Sequence, residues 1–231
     1  MTKIAIAEQD IVFLSYDEPN AEKNYADLCQ KIPWAKRIHG VKGSDAAHKA
    51  CAEVSDTEYF VTVDGDNVVD PQFLNVEIDL ADINCTKDHV FSWCGRIHVN
   101  GLMYGNGGLK MWNKRFVNDM RTHEAADGTD ARSLVEFCYD NLYYQFSDSY
   151  SNSYTNASAF QAWRAGFREG VKMSLDQGQP VNNIKNTWWQ NLERLRVWCS
   201  VGADVENGLW SIFGAREGCY LTNCTDWDYT Q

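Results

Sequence analysis

Two carboxylates one residue apart, Asp64 and Asp66, directly follow the apolar run Tyr59-Phe60-Val61-Thr62-Val63. At the end of a buried strand such a pair is costly, because the two charges repel and both lose hydration. A divalent cation relieves both costs. Mg²⁺ or Mn²⁺ takes hard oxygen ligands, commonly one or two carboxylates together with substrate phosphates. Gly65 between the acids lets the backbone turn tightly and approach a ligand closely. Asp-x-Asp is a common tripeptide and alone says little; an acidic surface loop is the alternative reading. Its weight comes from its place, since open α/β sheets bind ligands at the carboxyl ends of their parallel strands.

The elements that must position this turn are legible upstream. Ile11 to Tyr16 is a short apolar run of the kind buried in a parallel sheet. Asp17-Glu18-Pro19-Asn20 breaks it and opens a helix over 21–31, which Pro33 ends. A weak strand over 35–38 leads into the loop His39-Gly40-Val41-Lys42-Gly43. Ser44 or Asp45 caps a helix over 45–54, and the strand 59–63 then runs into Asp64. This β-α-β-α-β order predicts an α/β class fold with a mostly parallel, Rossmann-like sheet and helices on both faces. Downstream, 90–94 and 109–112 read as strands and 101–108 as a glycine-rich loop. Residues 114–121, 157–176, 186–199 and 203–216 read as helices, giving a helical C-terminal part. In the helix over 157–176, Phe160, Trp163, Phe167 and Val171 form an apolar stripe. Trp188-Trp189 reads as packing.

The 231 residues fit a single domain, with a first half over about 1–88 and a second over about 89–231. No apolar run reaches the roughly 18 residues of a membrane span, and Met1-Thr2-Lys3 does not lead into a secretory segment; a cytoplasmic protein is the expectation. The eight cysteines have neither CxxC nor zinc-finger spacing and read as reduced, small hydrophobes. A net charge of −11 argues against a polyanionic partner. Residues 89–118, however, carry four basic and no acidic side chains, a local patch that the average hides.

The strand at 11–16, the loop after 35–38, the helix containing Ala46-Ala47-His48-Lys49-Ala50 and the strand into Asp64-Gly65-Asp66 together resemble the nucleotide-binding half of GT-A glycosyltransferases of the broad family-2-like kind. Further on, Tyr104-Gly105-Asn106-Gly107-Gly108, Thr122-His123-Glu124 and the segment Gln161 to Gly170 look like glycosyltransferases encoded by tailed phages. Some relatives of that type decorate hydroxymethylated pyrimidines in phage DNA. The resemblance implies a nucleotide sugar, a UDP-sugar by preference, as donor and Mn²⁺ or Mg²⁺ as cofactor. It implies that Ser15, Tyr16, Asp17 and Glu18 line the nucleoside pocket and that His39 and Lys42 contact base or diphosphate. Gly65 would approach the donor, Asp64 the ribose or a metal-bound water, and Asp66 would ligate the metal. A third metal ligand would come from downstream, His123 before His98. Inversion would require a carboxylate base, with Glu124 first and Asp127, Asp119 and Asp140 as rivals.

The acceptor side is read from the acid-free stretch. Trp93, Arg96, Tyr104, Asn106, Gly107 and Gly108 combine rings, positive charge and open backbone. Such a mixture suits an extruded base of modified double-stranded DNA, with 5-hydroxymethylcytosine or a related base the preferred acceptor, and it also suits a sugar; a glycan or protein acceptor is the alternative. Arg164 and Arg168 lie one helical turn apart and would meet a diphosphate or a DNA backbone; a solvated helix flank is the plain alternative. Two other classes stay open, a sugar nucleotidyltransferase and a non-catalytic nucleotide-sugar-binding module. The first would want glycine with Arg and Lys just after the first strand, where Ser15-Tyr16-Asp17-Glu18 stands.

Overall fold

The computed structural model describes residues 3–119, 142–181 and 183–229, and at 106 and 107 the backbone alone. The described residues fall into two compact units. One comprises 3–96, 103–119 and 142–153, the other 97–102 and 154–229 apart from 182.

The first unit is built on a seven-stranded mixed sheet. A short strand β1 (Lys3–Ala5) precedes β2 (Asp10–Ser15), α1 (Ala21–Lys31), β3 (Lys36–His39), α2 (Ser44–Val54) and β4 (Tyr59–Asp64). Then come β5 (Asn67–Val69), β6 (Glu77–Asp79), β7 (Val90–Ile97), β8 (Met103–Asn113), α3 (Lys114–Asp119) and β9 (Tyr143–Ser153). The sheet order is β3-β2-β4-β8-β7-β9-β5, with β1 and β6 paired separately. The expected β-α-β-α-β unit is present, and β2 pairs in parallel with both β3 and β4. The expectation of a mostly parallel sheet is corrected beyond it, because β8 runs antiparallel to β4 and to β7, and β5 antiparallel to β9. The reason lies in the connections. A parallel pair needs a crossover of a dozen or more residues, whereas β7 and β8 are joined by a short reversal. In that reversal the Gly101 amide donates to the Ile97 carbonyl at 2.8 Å, and Gly101 takes the left-handed φ of +72°. The glycine-rich segment expected as a loop is therefore mostly strand, since β8 begins at Met103.

Burial follows the pattern of a sheet covered on its faces. Every residue of β4 from Tyr59 to Val63 is buried. Ile11, Phe13, Val61, Val63, Phe91, Trp93, Leu109 and Met111 share one core with Leu28 of α1. The lower edge is held by Asp10, whose carboxylate accepts from the Asp56 amide, the Ser55 hydroxyl and Lys36 Nζ. Burial pushes the Asp10 carboxyl upward, but these donors together outweigh it and leave the group below its ordinary value of 3.8.

The second unit contains α4 (Ala159–Ser174), α5 (Trp189–Trp198) and α6 (Gly208–Cys224). Ser158 caps α4, its hydroxyl accepting from the Gln161 amide. The aromatic stripe predicted to be the buried face of α4 is not that face. Phe160 is 67% exposed, and Trp163 lies half-buried with its indole N–H donating to Glu217 at 2.8 Å. Of the stripe only Val171 is buried, and the other buried positions are Ala162, Gly166, Gly170, Met173 and Ser174. Their partners on α6 are also small. A Cβ on Gly166 would lie 1.9 Å from the Ser211 carbonyl oxygen, and one on Gly214 would lie 2.0 Å from that of Trp163. Gly170 and Gly218 are in the same state against Ala215 and Phe167, at 2.2 and 2.3 Å. Two G-x-x-x-G rows thus face each other and bring the helix backbones into contact, the device known from close helix pairs in membranes. Trp188 and Trp189, expected to pack, are 51% and 65% exposed. Among the described residues no helix is long and apolar enough to cross a membrane.

Two outcomes are expected. Gly214→Ala must push the helices apart and should cost about 1–3 kcal/mol in chemical denaturation, while Ala at the exposed Leu209 should cost far less. Asp10 has a depressed folded-state pKa, so its contribution is complete above the unfolded value of about 3.9 and lost as pH falls through the folded value. The stability gap between wild type and Asp10→Asn should therefore close on acidification; a gap constant down to about pH 2 would contradict the assignment.

Candidate functional site

Three parallel strands deliver the predicted donor-side residues to one end of the sheet. In register, Ser15 lies opposite His39 and Leu14 opposite Asp64. The turn after Asp64 is held from behind. The Asn24 side-chain amide of α1 donates to the Gly65 carbonyl at 3.0 Å, in a fully buried setting. From the front, Glu18 folds over the turn, so that a Cβ on Gly65 would sit 2.7 Å from Glu18 Oε2 and 3.0 Å from Ser15 Cβ. The close neighbours of Gly65 are the protein's own side chains, and a Cβ there would displace the Glu18 carboxylate. The same Glu18 oxygen accepts from the Tyr16 backbone amide at 2.8 Å, which pins the segment after β2.

His39 is oriented by a relay. Arg37 forms a two-pronged ion pair with Glu22, at 3.0 and 2.7 Å, and its guanidinium lies 5.1 Å from the Tyr25 ring centre. The hydrogen bond to Glu22, above all, holds the Arg37 pKa up. From this anchored position Arg37 Nε donates to Ser15 Oγ at 3.2 Å, and Ser15 Oγ pairs with His39 Nδ1 at 3.0 Å. Arg37 Nη2 also lies 3.3 Å from His39 Nδ1. Guanidinium can only donate, so Nδ1 accepts and the ring proton sits on Nε2. The exposed imidazole therefore presents an N–H donor outward. Ser15 itself is 3% exposed, and its hydroxyl meets the His39 ring. Tyr16, Asp17 and Lys42 are exposed, and Glu18 is half-buried.

Asp66 is positioned by its neighbour. Asn67 is 3% exposed, and its side-chain N–H donates to Asp66 Oδ1 at 2.7 Å. Its Oδ1 is buried without a hydrogen-bond partner. It packs on Gly108, where a Cβ would lie 2.3 Å away. Asp64 and Asp66 are both half-buried. Behind them, burial pushes the Cys51 thiol up to about 12, with the Asp64 charge adding to it, so Cys51 is an inert neutral filler. Two hard carboxylate oxygens beside an open sheet end fit a Mg²⁺ or Mn²⁺ that takes its remaining ligands from phosphates and water. Among the described residues no group of three or more His, Cys, Asp or Glu side chains is arranged for a metal. His123, Glu124, Asp127 and Asp140 lie outside the described residues. His98 is described, in the second unit, where its ring packs 4.3 Å from that of Tyr154.

The acceptor-side residues are only partly where a binding surface needs them. Trp93 is 1% exposed, edge-on to Phe73 and stacked 5.4 Å from Phe146. Tyr104 is buried at 6%. Both read as open rings in the sequence and are core in fact, because alternate residues of β7 and β8 face the interior. Gly108 accommodates Asn67, and Asn106 and Gly107 lie on β8. Arg96 is exposed at the end of β7. In the acid-free stretch, Lys114 Nζ donates to the Ser55 carbonyl and Arg115 pairs with Asp88 at 3.4 Å. Arg164 and Arg168 are exposed on α4 in the second unit. Sequence reasoning missed Asn24, Arg37 and Asn67. Only Asn67 had a local signal, as a polar residue directly after the acidic turn.

No family model matches the chain, and no curated protein matches it. Solved structures similar to part of it include a glycosyltransferase involved in the glycosylation of the major capsid of PBCV-1. That match has a TM-score of 0.39 and 16% identity and covers 66% of this chain and 96% of that one. HddC from Yersinia pseudotuberculosis gives 0.32 and 13%, covering 63% and 72%. The inositol-1-phosphate CTP transferase from T. maritima gives 0.36 and 10%, covering 62% and 68%. At these scores the likeness concerns the chain trace and decides nothing about activity.

The Asn67–Asp66 bond makes a separate prediction. Asn67→Asp replaces a donor with a like charge at the same size and should cost about 1.5–3 kcal/mol at neutral pH. The cost should shrink below about pH 4, where carboxylates protonate. A cost that does not vary with pH would mean that the amide matters for packing on Gly108 and not for holding Asp66.

Proposed function

We propose that the chain is a nucleotide-sugar-dependent glycosyltransferase that uses Mn²⁺ or Mg²⁺ and a UDP-sugar donor. The observation that carries this reading is the convergence of the Asp64-Gly65-Asp66 turn, Glu18 and the oriented His39 at one end of three parallel strands. Ligands bind at that end of such sheets. In this reading Asp66 ligates the metal, kept in place by Asn67, and Asp64 reaches the ribose or a metal-bound water. His39 Nε2–H donates to an oxygen of the base or diphosphate, and the exposed Lys42 adds positive charge beside it. The cation, when bound, neutralises the diphosphate as it leaves. The carboxylate that takes the acceptor proton is Glu124 by the sequence expectation.

For the acceptor, a sugar or glycan hydroxyl is the better supported choice. The alternative, a hydroxymethylated base in phage DNA, carries a polyanionic backbone that the net charge of −11 disfavours; the burial of Trp93 and Tyr104 takes the expected stacking rings from either acceptor. A nucleotidyltransferase would instead join a nucleoside triphosphate to a sugar phosphate and release diphosphate. The segment Ser15 to Glu18 lacks the glycine and cations that such a reaction wants around a triphosphate.

Incubation with Mn²⁺ and a panel of UDP-sugars, with oligosaccharides or hydroxymethylcytosine DNA as acceptors, should give a product of hexose mass on an oligosaccharide. Asp66→Ala should abolish that product and the Mn²⁺-dependent thermal stabilisation by UDP. Full activity in Asp66→Ala would end the site assignment; release of diphosphate from a triphosphate would favour the nucleotidyltransferase.

A further inference from the structure

The first unit carries a cavity of about 380 Å³ away from the acidic turn, between the segment 72–78 and β9. Its floor is aromatic. Phe146 and Tyr150 are half-buried and line it, with Trp93 sealed beneath and stacked on Phe146 at an interplanar angle of 15°. Its rim is planar and polar, formed by the exposed side chains of Gln72, Asn75 and Asp148. Glu77, also in the lining, is paired with Lys3 at 2.8 Å. The rim therefore contains two carboxylates and two amides, and the lining itself contains no cation.

Chemistry selects the occupant. Phosphate, nucleotide and nucleic acid are disfavoured by the carboxylates, since like charge across a contact is repulsive. A wholly apolar ligand would strand the rim groups. A neutral sugar ring matches both parts: its C–H face lies on an aromatic ring, and its hydroxyls pair with carboxylates and amides that accept or donate in a plane. The cavity is also within reach of the candidate site. Ser153 of β9 pairs with Asn67, the residue after Asp66, and the Asp70 amide donates to the Tyr150 carbonyl at 2.7 Å. Ser153 and Tyr150 are three strand steps apart, a span of about 10 Å.

We propose that this cavity is a carbohydrate-binding site for a neutral sugar ring, bound on Phe146 and Tyr150 and held at its rim by Asp148, Gln72 and Asn75. It is a site separate from the Asp64–Asp66 turn, and it holds a saccharide whether or not the chain transfers one.

The test is equilibrium binding by the full chain, without metal or nucleotide. Maltotriose, cellotriose, galactose and N,N′-diacetylchitobiose serve as probes, with saturation-transfer NMR as the readout. Tetramethylammonium and a deoxycytidine oligonucleotide serve as controls. At least one neutral saccharide should bind with a dissociation constant of about 1 mM or tighter. Asp148→Ala and Gln72→Ala, both at exposed positions, should each weaken it about tenfold, equivalent to about 1.4 kcal/mol. Asp66→Ala should bind as wild type, so failure of the transferase reading leaves this result intact. The proposal is overturned if no neutral saccharide binds, if binding survives both rim substitutions, or if only tetramethylammonium or only the oligonucleotide binds. Phe146→Ala is a weaker variant, because its ring also supports Trp93.

Discussion

One buried hydrogen bond, from the Asn24 amide to the Gly65 carbonyl, ties the first helix to the turn on which the candidate site depends. A buried carbonyl without a partner would cost several times what the bond contributes, so the turn and the helix must form together. The bond also fixes the direction of the Gly65 peptide. With its carbonyl directed back to α1, the opposite side of Gly65 is free to receive Glu18, and the distance to that carboxylate leaves no room for a Cβ. Asp64 and Asp66 flank this clamped glycine, and Asn67 holds the second of them. Geometry is thus set by the side chains packed around the two carboxylates as much as by the carboxylates themselves. This is the arrangement in which supporting groups determine how well a site is preorganised.

The donor end of the fold was legible because its signals are local. An apolar run, a breaker and a capped helix recur twice before Asp64, and each is contained in a window of about ten residues. The observed strands and helices from Asp10 to Asp64 follow that reading closely. What failed was information carried by partners distant in sequence. Nothing near Trp93 reveals that Phe73 and Phe146 close over it, and nothing near Gly108 reveals Asn67. In α4 the failure is of another kind. Periodicity rewards large apolar residues, yet the face that packs is made of Gly166, Gly170 and Ala162. Close backbone contact needs small side chains, which a scale of hydrophobicity barely registers. The direction of the later strands was invisible for a similar reason, since polarity alternates alike in parallel and antiparallel partners.

Charge shows the same contrast between chain and space. Residues 89–118 are free of acids along the sequence, but folding sets Asp88 beside Arg115 and a backbone carbonyl against Lys114. A one-dimensional cationic patch is in part an internal fastening. At β3 the opposite happens. Arg37 has no nearby acid in sequence, yet the fold gives it Glu22, two aromatic rings and Ser15. That cation is engaged by the protein's own groups. It determines which nitrogen of His39 carries the proton, and so which kind of atom His39 can address.

The acidic turn and the aromatic cavity of the first unit then have different electrostatic characters, and the difference constrains any shared chemistry. At the parallel strand ends, a histidine donor and the exposed Lys42 stand near carboxylates, a mixture that accepts an anion only when a cation accompanies it. Around Phe146 and Tyr150 the lining is carboxylate, amide and ring, with no cation to offset a phosphate. A nucleic acid laid along the unit would meet the second surface with its backbone charge uncompensated. A neutral saccharide would meet it with hydroxyls and a ring face. β9 is common to that surface and to the strand pair beside Asp66, so the saccharide proposed for the cavity would lie along a strand that borders the acidic turn. The net charge of −11, which at first argues only against polyanions, fits the uncharged ligand proposed for that surface.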